Sequence, residues 1–265
     1  MNKAGNLNQK QEIQIVDKLN SFYEQALQNK KAVRKNLESA GFSCTLCGKC
    51  CNRTEDDNSV FILPPEIQKI ESATGLNRTE FILPLFPDFY EVSDSVSKEG
   101  KNAAIDFSAF PEILKSVSDQ IDDSGRVHTF GWMLRRLKNG SCIFLDSGTQ
   151  KCKIYADRPG LCRTYPFYFL GAKIENCDCE GIGLSLKTDV ALANELTDAV
   201  FDRILKEQDD FLKTQYFLGK GNIKTNSDKK EGLEKALKKL NDDGLISFVV
   251  YDGSGIYETD IQLFL

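Results

Sequence analysis

The chain has 265 residues, long enough to bury a core, with 41% hydrophobic and 28% charged residues, a balance that excludes wholesale disorder. A formal net charge of -5, with Lys and Arg interleaved among acids, excludes an electrostatic nucleic-acid binder. No apolar run reaches the ~20 residues a membrane span needs, and the polar start Met1-Asn2-Lys3 lacks a secretory signal, so a cytoplasmic location is expected.

Residues 8–40 predict a long amphipathic helix, with Ile13, Ile15, Val16, Leu19, Phe22, Tyr23, Ala26 and Leu27 near helical spacing and Gly41 as its stop. Its expected role is packing over the segment that follows. That segment, Cys44-Thr45-Leu46-Cys47-Gly48-Lys49-Cys50-Cys51, holds four of the nine cysteines in the pattern C-x2-C-x2-C-C. Next, Ser59–Leu63 reads as a short strand, Pro64-Pro65 opens a helix closed by Gly75, and a second short helix starts near Thr79. Val92–Lys101 reads as a flexible insertion.

The apolar run Gly131–Leu137 leads into Asn139-Gly140, a strong turn signal, so Ser141–Leu145 is expected to return as a hairpin. A further turn at Asp146–Thr149 places Cys152 on another short strand, and Arg158-Pro159 opens a helical turn presenting Cys162. Residues 188–218 predict a second long helix. Beyond a Gly-Lys-Gly linker come a charged helix over 228–241, the strand-like Leu245–Tyr251 and a returning strand over 256–265. The expected fold class is α+β: a cysteine-rich metal-binding core with short hairpins, flanked by long amphipathic helices. Residues 1–218 form the expected metal-binding domain, with its motifs in 40–185, and 219–265 a small C-terminal helix–hairpin appendage.

The remaining cysteines are Cys142, Cys152, Cys162, Cys177 and Cys179, all inside one 38-residue window. In a reducing compartment, clustered thiols serve as metal ligands or redox groups rather than disulfides. Two residues between cysteines let one backbone turn aim both sulfurs at a common ion or cluster. The two windows are therefore expected to meet around metal. Adjacent side chains generally diverge, so Cys50 and Cys51 are expected to serve different metal atoms or different roles. Nine cysteines exceed the four that one structural zinc needs, and three at two-residue spacing favour an iron–sulfur cluster, of 4Fe-4S type, with zinc as the alternative. The single histidine, His128, lies outside any ligand-spaced motif and reads as structural. It also leaves hydrolase triads without support. No nucleotide-binding glycine motif occurs.

The octet, followed by Cys142-Ile143-Phe144-Leu145, Cys152-Lys153-Ile154-Tyr155, Arg158-Pro159 and Cys162-Arg163-Thr164-Tyr165-Pro166-Phe167, resembles the YkgJ family of cysteine-cluster proteins, also described as a zinc- or iron-chelating CxxCxxCC domain. The resemblance covers residues 40–185. It implies zinc or an iron–sulfur cluster held by the shared cysteines, and some members are labelled iron–sulfur oxidoreductases; electron transfer or cluster-dependent oxidoreductase activity is the function expected here. The flagellin lysine methylases share the signature, which makes protein modification a further alternative. Family members often close the pattern with C-P-G; here Cys179-Glu180-Gly181 stands in that place with Cys177 nearby, so either thiol is open as the last ligand. Arg163 and Arg158 are candidates to offset thiolate charge from outside the ligand set. Lys49 is placed to lower neighbouring thiol pKa values. Tyr155, Tyr165, Phe167, Tyr168 and Phe169 read either as site walls or as core, with core the simpler reading. A structural zinc module acting through protein partners is the second functional reading. An unidentified protein or redox partner is expected, with no nucleic acid and no membrane.

Overall fold

A computed structural model describes residues 9–52, 59–86, 110–137, 140–170, 173–220 and 229–262. The Val92–Lys101 insertion and Asn139 lie outside the described residues. Two 31-residue helices, α1 (Gln9–Ser39) and α6 (Val190–Lys220), pack antiparallel. Lys30 pairs with Asp198 at 2.7 Å, Arg34 Nη1 reaches Asn194 Oδ1 at 3.3 Å, and Thr188 N donates to Glu38 O at 2.8 Å. Asp189 caps α6 by accepting from Ala191 N at 2.9 Å and Leu192 N at 3.1 Å. Ile15 is buried in the first half of α1, and in its second half Val33 and Leu37 join Phe42, Phe167, Leu196 and Phe201 in one apolar cluster. Several positions of the sequence pattern, Ile13, Val16, Tyr23 and Leu27, are exposed instead.

Between the long helices lie α2 (Pro64–Thr74), α3 (Arg78–Phe81), α4 (Phe110–Ser116) and α5 (Gly160–Thr164), and α7 (Lys229–Asp243) follows them. Pro64 and Pro65 occupy the first turn of α2, where no backbone N–H is missed, and Gly75 ends it at φ 72°. One sheet runs β1 (Phe61–Ile62), β4 (Trp132–Leu134), β2 (Ile82–Pro84), all antiparallel, with Ile62 opposite Trp132 and Leu83 opposite Met133. A second runs β3 (Val127–Phe130), β7 (Leu245–Asp252), β8 (Gly255–Gln262), with β3 parallel to β7 and β7–β8 a hairpin. The third is the hairpin β5 (Phe167–Leu170) and β6 (Lys173–Asn176). The described residues thus mix helices with small sheets, an α+β architecture.

The expected hairpin forms over a shorter span, Arg135–Ile143, where Leu137 N donates to Ser141 O at 2.8 Å and Ile143 N to Arg135 O at 3.2 Å, while the first part of the run pairs elsewhere. Trp132, Met133 and Leu134 are all buried, so this continuous apolar run becomes the middle strand between β1 and β2. Ser141–Ile143 returns against Arg135–Leu137 through the antiparallel bridge Arg136 to Cys142, and Leu145 bridges on to Cys152. Gly131 makes the switch between sheets: it sits at φ 87°, and a Cβ there would come within 2.4 Å of the Phe61 ring.

The C-terminal segment enters the main core. β7 is the middle strand of its sheet, and Ala236, Leu240, Ile246, Phe248, Val250 and Tyr257 share one apolar cluster with Ile62, Ile67, Phe81, Phe110, Trp132 and Phe144. No helix among the described residues is long and apolar enough to cross a membrane.

Candidate metal centre

The octet is held by close backbone approaches that glycine permits. Gly48 (φ 71°) leads into a single 3-10 turn, Lys49–Cys51, and a Cβ on it would stand 2.4 Å from Gln150 O. Cys142 N donates to Cys51 O at 2.8 Å, and Ser43 N donates to Gly181 O at 2.9 Å. Lys49 pairs with Glu180. The early and late cysteine windows are thus stitched together on both flanks.

Cys162 is presented by α5, a helix of five residues. Its N-terminus is held by Glu66 of α2, whose Oε1 accepts from Gly160 N at 2.7 Å while Oε2 accepts from Leu63 N at 3.0 Å. Its C-terminus is braced by Arg203 of α6, which donates to the buried Thr164 hydroxyl and pairs with Glu207 at 3.3 Å.

The thiols fall into two neighbouring groups. In the inner group, Cys50 Sγ and Cys51 Sγ lie 3.9 Å apart rather than diverging as adjacent side chains were expected to, because the 3-10 turn folds them together. The hydrogen bond with Cys50 and then burial push the Cys51 thiol up, and the neighbouring Cys142 and Cys162 add to it. Burial likewise pushes up Cys142, Cys152 and Cys162, and these thiols oppose one another's ionisation. In the outer group, burial pushes up Cys179, with Cys47, Cys44 and Cys50 adding and the Gly181 N–H, 3.4 Å from its sulfur, opposing. Cys50 therefore stands between the groups. Cys142, Cys51 and Cys152 pack on the main apolar cluster, whereas Cys179 packs on the cluster beneath α1 and α6. Cys177 sits two residues earlier, its N donating to Pro166 O at 2.9 Å.

Among the surrounding cations, the Arg158 guanidinium lies 3.9 Å over the Tyr155 ring and opposes the rise at Cys152 and Cys162. Its Nε is buried without a hydrogen-bond partner. Arg136 acts in the same sense on Cys142, a role its sequence position did not signal. Arg163 is exposed, and Lys49 is engaged by Glu180, which raises its own pKa. Phe167 is core, stacked edge-on to Phe42 at 5.3 Å, while Tyr155 and Tyr168 are exposed; the side chain of Phe169 lies outside the description. His128 is buried away from the cysteines, between Tyr251 OH at 2.9 Å and Asp122 at 3.2 Å.

Among the described residues no group of three or more His, Cys, Asp or Glu side chains is already closed around a single ion position. What the geometry provides is a thiol-rich neighbourhood in which Cys51, Cys142, Cys152, Cys162 and Cys179 resist ionisation, with the Arg158 guanidinium beside it. A bound cation inverts that balance, deprotonating thiols that otherwise stay neutral. The donor chemistry suits zinc or iron and does not suit hard oxygen-seeking cations.

A family model, CxxCxxCC, described as "Putative zinc- or iron-chelating domain", matches residues 43–180, just over half of the chain. No solved structure matches.

Proposed function

The chain belongs to the CxxCxxCC family of zinc- or iron-chelating domains, and from that premise we propose that its gathered cysteines hold an iron–sulfur centre serving electron transfer or a redox reaction. The observation that carries this reading is the number of neighbouring thiols. Cys50, Cys51, Cys142, Cys152 and Cys162 influence one another directly, and Cys44, Cys47 and Cys179 adjoin through Cys50. That exceeds the four ligands of one structural zinc and offers sulfur throughout. In this reading the inner thiols are the first ligands, and the outer three extend the site towards solvent. Such a centre, when bound, supplies a reversible one-electron store. The chain's residues shape it: burial of Cys142 against Phe144 limits water, and Arg158 offsets thiolate charge without supplying a ligand.

A second reading, a structural zinc, is favoured by the packing of Cys142, Cys51 and Cys152 on one apolar cluster and Cys179 on the other. A metal there would tie two cores whose sheets are small. Anaerobic purification followed by iron, zinc and acid-labile sulfide analysis separates the two. Iron with matching sulfide and broad visible absorbance supports the redox centre; stoichiometric zinc in colourless protein replaces it with the structural reading.

A further inference from the structure

Away from the cysteines, a cleft of about 220 Å³ opens between α3, the β2–β4 sheet and β8. Its walls include Ile82, Trp132 and Ile261, which are apolar, and Arg78, Arg135 and Thr259, which are not. The charges divide unevenly. Arg78 is matched by Glu71 through Nε–Oε1 at 3.1 Å and Nη2–Oε2 at 3.2 Å, a bidentate pair. Asp260, also in the wall, is matched by Lys239 at 2.7 Å.

Among the described residues Arg135 has no such partner. Its Nη2 donates to Thr79 O at 3.2 Å, its Nε is buried with no hydrogen-bond partner, and among the described residues no carboxylate pairs with it. Leaving a half-buried guanidinium uncompensated is costly, and a folded chain tolerates the cost when something else supplies the anion. β8 is also the outer strand of its sheet, so its second edge meets no described strand where it borders the cleft.

We infer that this cleft binds a small organic monocarboxylate, its carboxylate on Arg135 and its hydrocarbon body against Ile82, Trp132 and Ile261. One positive charge uncompensated among the described residues matches one negative charge, which favours a carboxylate over a multiply charged phosphate. The apolar wall favours an organic body over a bare inorganic ion, and the volume limits that body to a few carbons.

Trp132 is the sole tryptophan of the chain, so its fluorescence reports on the cleft. Hexanoate titrated into the full chain is expected to change that emission saturably and to raise the melting temperature, whereas the isosteric neutral hexanamide does neither. Arg135→Met is expected to weaken hexanoate binding at least about tenfold, the loss of a charge-assisted pair. The same variant is expected to melt no lower than wild type without ligand, since it removes a half-buried charge that no described carboxylate pairs. Arg135→Lys, which keeps the charge but not the fork, is expected to bind with intermediate affinity. The inference is overturned if wild type shows no response to hexanoate beyond that of sodium chloride at equal ionic strength. It is overturned equally if hexanamide or inorganic phosphate matches hexanoate, or if Arg135→Met binds hexanoate like wild type.

Discussion

Cys162 and Cys179 occupy different mechanical settings, and their surroundings set what each substitution should do. Cys162 adjoins Cys51, Cys142 and Cys152, while Cys179 adjoins Cys44, Cys47 and Cys50 and packs on the second apolar cluster. Cys179→Ser is therefore expected to lower metal content, with Cys177→Ser retaining it; metal analysis of the two purified variants side by side makes the comparison. The reverse outcome would assign the last ligand to Cys177. Arg158 places its positive charge beside Cys152 and Cys162. Arg158→Gln should weaken metal binding about ten- to a hundredfold, the usual scale for a partner that touches ligands rather than metal. Competition against a chelator reads this directly, and unchanged affinity would remove Arg158 from the site.

At the scale of elements, the short helix α5 depends on neighbours distant in sequence. A five-residue helix cannot sustain itself, and Glu66 and Arg203 grip its two ends from α2 and α6. Glu66→Ala would orphan the Gly160 and Leu63 N–H groups and is expected to cost about 1–3 kcal/mol in denaturant unfolding. A cost within error of zero would show that water replaces the carboxylate. The local signals here were legible: Pro64-Pro65-Glu66 reads as a helix start, and Gly75 as its end. That Glu66 also reaches across to Gly160 was not, because pattern and propensity describe local structure and this contact spans 94 positions. The same limit explains β4. The Asn139-Gly140 signal correctly gave the short return of Ser141–Ile143 onto Arg135–Leu137, but the partners of Trp132–Leu134, β1 and β2, are supplied by distant segments that no local signal names. The long helices were read to within a few residues because periodicity and capping are local, although much of the apolar pattern in the first half of α1 is exposed.

Across the whole molecule, the C-terminal hairpin closes the fold over the site's supporting core, and one contact there carries a pH signature. Gly253 N donates to Asp210 Oδ1 at 2.8 Å where the β7–β8 turn meets α6. Burial, with Asp252 and Asp209 nearby, raises Asp210 to about 7. Unfolded, this group titrates near ~4. Between these values the folded chain holds the extra proton, so the stability Asp210 contributes is full below pH ~4 and is lost as pH rises through about 7. Asp210→Asn keeps an acceptor for Gly253 and removes the charge. It should raise stability at pH 8 by about 1–2 kcal/mol and flatten the slope between pH 5 and 8, checked by urea midpoints across that range. A variant no more stable at pH 8 would show that water reaches the carboxylate.

The clustering of nine cysteines into two windows and the sequence motifs pointed to a metal-chelating family, and the family model over residues 43–180 establishes that family. Spacing alone left open how the sulfurs divide. The split into an inner and an outer group depends on the Cys142–Cys51 and Ser43–Gly181 backbone contacts, which no local pattern encodes. The central claim is that sulfurs from both windows share a metal. X-ray absorption at the metal edge of anaerobically purified protein, recorded for wild type and for Cys51→Ser and Cys162→Ser, tests it most directly. A sulfur-only shell in wild type that is lost or gains oxygen in both variants is the result expected. A wild-type shell dominated by oxygen or nitrogen, or an unaltered sulfur shell in either variant, would contradict it.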